Sequence, residues 1–387
     1  MISRFALLHR LCRPSPTGTG PAAPYEGARA LGPIVLGLTA ALATALALLS
    51  APPLSAQEAT ARFGTAQGTP FAVYSTTDIA ILRPALEAFT AANPDLSIRY
   101  EQWGSNALYA EARQQCRTGA GPADVIFSSA VHQMVELVNS ACARPYSSPR
   151  TQALPETRRW RDELWGVTHE PVVTIYNRRL MPPGEAPRTR FELLDLMRRA
   201  DPRYFGRVAT YDIEASGLGY LLAFADSLEA TTFGALLEGF ARIDAIATCC
   251  SAEIIEGVSE GRYLIAYNVL GSYLQLQSAP GLNANVGVIL PEDYTLFLSR
   301  AYMIPRSAGK PEAAQRLLDF LLGPEGREIL RRSGLVFERD PDVQGLPESS
   351  ERAVEIDPTL LIARDRQRRA SFIAQWRSVF GDAEPAP

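Results

Sequence analysis

The chain has 387 residues, 47% of them hydrophobic and 21% charged, with a formal net charge of −4. These values describe a soluble globular protein, and about 330 residues beyond the N-terminal segment suffice for two packed lobes. Mild acidity gives no electrostatic case for nucleic acid or an anionic membrane as partner. Lys310 is the one lysine among 38 basic residues, a bias that reads as codon usage rather than as an arginine-driven function.

The first segment is the most informative. Arg4, Arg10, Arg13 and Arg29 precede an uncharged run from Leu31 to Leu49, and Leu54-Ser55-Ala56 follows. A basic region, an apolar region and small residues at a cut site are the parts of a secretory signal, so residues 1–56 are expected to be removed on export to the periplasm. An apolar run of this length could instead be retained as a membrane anchor. The Ala- and Thr-rich composition and the Ser55-Ala56 site favour cleavage, and no lipobox cysteine follows the run.

Residues 57–69 read as a short polar linker. Pro70 to Tyr74 is a β run, and Leu82, Leu86 and Phe89 then recur at helical spacing up to Asn93-Pro94, with Pro84 predicted either to kink the first turn or to separate it. Strands at 96–101 and 124–127 alternate with helices at 106–117 and 131–139, which predicts a mainly parallel sheet with helices on its faces. Residues 164–167 and 172–176 form a long extended stretch suited to a crossing between lobes. A second α/β series follows: a helix at 191–199, a strand at 208–211, a helix opening near Gly217, helices at about 232–243 and 252–260, and a strand at 263–268. Residues 285–290 could cross back, and 294–304 supply strands to the first lobe. A helical pair over 311–334, broken at Gly323-Pro324-Glu325-Gly326, precedes a final helix of about 360–380. The predicted division is residues 70–170 and 289–387 in lobe 1 with the C-terminal helices, and 171–288 in lobe 2. The cleft at the sheet ends is where open α/β sheets bind ligands.

Cys12 falls in the predicted signal. The even number left in an oxidising compartment suggests disulfides. Cys116–Cys142 is the preferred pairing, because each lies near the end of a predicted helix flanking one strand. Cys249 and Cys250 could bond to each other, bond elsewhere or stay reduced.

Three hydroxyl-rich loops follow predicted strands and open helices: Ser75-Thr76-Thr77-Asp78, Ser128-Ser129 and Ser216-Gly217. Each could be an ordinary helix cap. Together at one sheet edge, beside helix N-termini, they could cradle an anion. Glu170 and Asp212 could accept hydrogen bonds from ligand hydroxyls, Asn268 and Tyr273 could face the cleft, and Trp103 could stack on a sugar ring or pack internally. Catalysis lacks a convincing site. His169-Glu170 has no second histidine at Val173, and His132 reads as a helix-surface residue, so no zinc centre is expected. Gly257-Val258-Ser259-Glu260-Gly261 has the letters of a nucleophile elbow but the reverse order of helix and strand. No cofactor is implied.

Val73-Tyr74-Ser75-Thr76-Thr77-Asp78, Ala123 to Ser129, Glu170 to Asn177, Tyr211-Asp212 with Ser216-Gly217, and Tyr267 to Tyr273 resemble the type II periplasmic solute-binding proteins of ABC importers. The likeness is to the branch with ferric-ion-binding and sugar-phosphate-binding members. It implies an α/β, two-lobed fold, each lobe a mixed sheet flanked by helices, with a hinge of two crossing segments. It also implies a monomer whose partners are a small-molecule anion and an inner-membrane permease with its ATPase. Ferric members carry two adjacent tyrosines near Ser272-Tyr273. Here Leu274 follows Tyr273, which favours a phosphorylated sugar, phosphonate or similar anion over iron. A sensor-partner protein or an enzyme on the same fold is the alternative from another class, with His169, Cys249-Cys250 and Ser259 as its nominees.

Overall fold

The computed structural model describes residues 57–273, 285–337 and 350–381, all within one compact unit, Ala56–Pro387. The expected signal segment lies outside the described residues. Among those described, no helix is long and apolar enough to cross a membrane.

Lobe 1 begins with β1 (Gln57–Gly64), β2 (Thr69–Ser75), β3 (Leu96–Trp103) and β4 (Val125–Ser128), followed by the short β5 (Arg159–Trp160) and β6 (Leu164–Gly166). β2, β3 and β4 pair in parallel, as the alternation with helices requires. β2 buries Phe71 to Ser75 and β4 buries all its residues, the continuous burial expected of strands covered on both faces. The predicted linker at 57–69 is corrected. Residues 57–64 pair antiparallel with β3, so this segment is an edge strand held by backbone hydrogen bonds, with Phe63 anchored in the core. Pro84 does not divide its helix, which runs unbroken from Ile79 to Ala92.

Lobe 2 is built on β7 (Glu170–Asn177), β8 (Val208–Tyr211), β9 (Ile246–Thr248), β10 (Ile265–Leu270), β11 (Val286–Ile289) and β12 (Thr295–Leu298). β13 (Ala301–Met303) returns to the first sheet, and β14 (Glu351–Ala353) adds to β12. The two sheets have strand orders β1-β3-β2-β4-β13-β6-β5 and β14-β12-β7-β10-β8-β9, with β11 also on β7. The chain therefore changes sheet three times: at 167–169 leaving β6 for β7, at 299–300 leaving β12 for β13, and again between β13 and β14. β12 pairs with the start of β7, Leu298 opposite Glu170, so of the strands expected in lobe 1 over 294–304 residues 295–298 join the second sheet and only 301–303 join the first.

The C-terminal helix, Arg366–Phe380, also departs from the lobe 1 placement. Ile373 and Trp376 pack in the same core cluster as Leu236 and Phe240 of lobe 2. Just before it, Arg364 pairs with Glu136 on the lobe 1 helix Val131–Asn139. The segment thus runs over both lobes.

Candidate functional site: the inter-lobe cleft

β2 and β4 end side by side, and the loops after them open the helices Ile79–Ala92 and Val131–Asn139. Their hydroxyls meet. Thr76 Oγ1 lies 3.1 Å from Ser129 Oγ and accepts from the Ser129 N–H at 2.9 Å. Ser75 and Ser128 are buried and spend their hydroxyl oxygens locally, accepting from the N–H groups of Thr77 and Ala130. Thr76 is the hydroxyl left partly exposed at the seam. The Tyr273 hydroxyl, from lobe 2, donates to its carbonyl at 3.4 Å.

Beneath these loops sits a fully buried ion pair. Arg300 Nε and Nη2 donate to Glu170 Oε1 and Oε2 at 2.9 and 3.1 Å. Arg300 also reaches Thr77 Oγ1 of lobe 1 at 3.0 Å and Ser272 Oγ of lobe 2 at 3.3 Å. Glu170 accepts in addition from the Thr168 hydroxyl. Its carboxylate is therefore committed to the hinge. The guanidinium lies over the Tyr273 ring, 5.4 Å from its centroid. Burial pushes the Tyr273 phenol well above its ordinary value, although the arginine charge opposes this.

Two acidic or aromatic groups flank the seam. Asp78 accepts from Gln102 Nε2 at 2.6 Å, and burial raises its pKa while the Arg300 charge draws it down. Trp103 stacks on Tyr74, ring centroids 5.4 Å apart, and donates to Glu101. One face is thus used in packing, and the residue remains half-buried.

On the lobe 2 side, Asp212 Oδ1 accepts from the N–H groups of Glu214 and Ala215, shaping the loop before helix Gly217–Glu229. Ser216 caps that helix by accepting from Gly219 N–H at 3.0 Å. The Gly217 N–H crosses the seam to Ser105 Oγ at 2.8 Å. Asn106 Nδ2 donates to the carbonyls of Glu214 and Ala215, and its oxygen accepts from Gln133 Nε2. Ser105, Asn106 and Gln133 are contacts that carry no motif in the sequence. Asn268 sits in a bulge of β10 with φ 60° and donates to the buried Asp226 carboxylate, shared with Arg190, Tyr267 and Tyr294. Its side-chain amide is thereby tied into the lobe 2 interior.

The structure brings Ser75, Thr76, Thr77, Ser128, Ser129 and Tyr273 together, while the loop with Asp212, Ser216 and Gly217 meets lobe 1 at Ser105 and Asn106. It adds Arg300 and Asp78. The histidine readings change: His132 is buried against Tyr220, not on the surface. His169 stacks on Phe297 at the hinge, and burial lowers its pKa to about 4. Ser259 is buried within helix Ser251–Glu260. Both cysteine pairs are bonded, Cys116–Cys142 as preferred and Cys249–Cys250 as the vicinal bridge.

Two α/β lobes joined by paired strands, with helix starts meeting across the seam, define a two-lobed binding protein of the type II periplasmic fold. Residues 71–336 match the family of bacterial extracellular solute-binding proteins, and the chain belongs to that family. Its structure is similar to the substrate binding protein of an ABC transporter from Agrobacterium tumefaciens, at 29% identity and TM-score 0.77, over 84% of this chain and 98% of that one. Iron-bound HitA from Pseudomonas aeruginosa (18% identity, TM-score 0.58, 80% and 99% covered) shares the fold. So does the ferric binding protein from Campylobacter jejuni (18%, 0.62, 80% and 99%). No curated protein matches the sequence.

Proposed function

We propose that this chain is the extracytoplasmic receptor of an ABC importer, exported by a signal within residues 1–56. In this reading it captures a small organic anion in the inter-lobe cleft and hands it, as a monomer, to a membrane permease and its ATPase. The likeness to the Agrobacterium ABC transporter protein supports the transport setting. The observation that carries the ligand class is the Thr76–Ser129 hydroxyl pair, placed where two helices begin. Helix starts favour negative charge, and hydroxyls can rotate to donate to phosphate or phosphonate oxygens.

Ferric ion is the competing cargo. Leu274 follows Tyr273 where the resemblance would want a second tyrosine, and Ser272 on the other side is occupied by Arg300. The Tyr273 hydroxyl is spent on the Thr76 carbonyl with its ring beside the Arg300 guanidinium, and the Tyr267 hydroxyl is spent on Asp226, which disfavours either as an iron ligand. An enzyme is disfavoured because His169 is stacked and Ser259 is enclosed in a helix.

A thermal-shift screen against sugar phosphates, phosphonates, phosphoglycerates, other carboxylates and ferric citrate tests the reading, since a ligand that binds only the folded state raises Tm. A shift with a phosphorylated or phosphonate compound, reduced in Thr76→Ala and Ser129→Ala, is expected. A shift and visible colour with ferric ion alone would overturn it.

A further inference from the structure

Cys249 and Cys250 are bonded to each other between the end of β9 and the first turn of helix Ser251–Glu260. Both are exposed, whereas Cys142 of the other bridge is buried. A crosslink between chain neighbours closes almost no loop, so it contributes little loop-closure entropy to stability. The hinge and the hydroxyl loops make no use of it. One helical turn on, Glu253 Oε2 lies 3.7 Å from Cys249 Sγ and also accepts from the Thr248 hydroxyl. The two sulfurs and one carboxylate oxygen all lie within 4.8 Å of one another. Cys250 occupies the N-cap of a ten-residue helix, a position that favours a thiolate.

We propose that Cys249, Cys250 and Glu253 form a redox-gated site for a thiophilic divalent cation of the zinc or cadmium kind. A dithiol reductant supplies two electrons and two protons, leaves as its own disulfide, and opens the bond to two thiols. The cation then displaces both thiol protons and takes two sulfur ligands, with Glu253 as the third and water completing the shell. In the oxidised form the sulfur atoms carry no charge and bind no such ion. The site is joined to the cleft rim, because the Thr248 carbonyl accepts from Asp212 N–H at 2.8 Å and Ser251 shares a hydrogen bond with Tyr211.

The test is a cadmium titration of the full chain, oxidised or treated with a dithiol that is then removed without air, following the sulfur-to-cadmium absorption band in the ultraviolet. One cadmium per reduced chain is expected, with at least about 100-fold weaker uptake by the oxidised chain. Cys249→Ser/Cys250→Ser should abolish the band, and Glu253→Gln should weaken affinity about tenfold. Equal uptake by the reduced double variant would place the ion at Cys116 and Cys142 and overturn the proposal. So would a reduced chain with two free thiols and no band. Unchanged affinity in Glu253→Gln would overturn the three-ligand site.

Discussion

Glu170 and Arg300 face each other where β7 and β12 cross between the lobes, both fully buried, with two hydrogen bonds of 2.9 and 3.1 Å between them. The arginine also holds Thr77 of lobe 1 and Ser272 of lobe 2, so one side chain ties the hinge to both walls of the cleft. Removing one member strands the other charge away from water. Arg300→Met is expected to cost about 3–5 kcal/mol in urea unfolding, and Glu170→Leu/Arg300→Met to recover most of that loss. Additive losses in the double variant would show that the pair is not coupled.

Gly217 sits tightly against lobe 1 across the seam, its N–H donating to Ser105 Oγ at 2.8 Å. A Cβ there would lie 2.7 Å from Gln133 Nε2, 3.0 Å from Ser105 Oγ and 3.1 Å from Asn106 Oδ1. Those atoms are tied to one another and to lobe 2, so they cannot retreat without breaking the contacts that close the cleft. Alanine is otherwise a better helix residue than glycine. Gly217→Ala is therefore expected to cost about 1–3 kcal/mol through overpacking, to enlarge the radius of gyration in small-angle scattering, and to weaken ligand binding about tenfold. An unchanged scattering curve would refute a role in closure.

The alternation of strands and helices was legible because parallel strands bury both faces and helices keep their own period. β1 was not, because residues 57–64 carry Phe63 as their one buried side chain and otherwise face solvent, so their pairing with β3 rests mainly on backbone bonds that leave no periodic pattern. Arg300 could have been found. It is the lone charge in the run Leu296 to Ile304, and a charge inside an apolar stretch is either paired or functional. Its partner Glu170 stands out in the sequence as an acidic residue near a crossing segment, but only the fold shows that its carboxylate faces the hinge. Ser105, Asn106 and Gln133 left no signal, since their role depends on the distance between two lobes.

The Cys116–Cys142 bridge joins the helix Ser105–Thr118 to the turn after Val131–Asn139, at a sequence separation of 26. By loop-closure entropy a link of this span contributes about 3 kcal/mol. Cys116→Ala/Cys142→Ala is expected to lower unfolding free energy by about that amount, measured with denaturant. A change under about 1 kcal/mol would mean that native-state packing, not the covalent link, holds these helices together.

Both described histidines make the protein acid-sensitive. His132 is buried, its Nδ1 has no hydrogen-bond partner among the described residues, and burial together with the charges of Arg364 and Arg369 lowers its pKa well below 6.5. His169 falls to about 4, from burial first and then Arg158. Each is neutral when folded and takes up a proton on unfolding below about pH 6.5, so stability falls as pH drops, by up to about 1.4 kcal/mol per pH unit for each group. For His169 the fall ends near pH 4, where the folded form also protonates. His132→Phe keeps the ring against Tyr220 and removes one titrating group. Its denaturation midpoint is expected to decline less steeply than that of the wild type between pH 6.5 and 5. Parallel profiles would show that His132 reaches water and is already protonated in the folded protein.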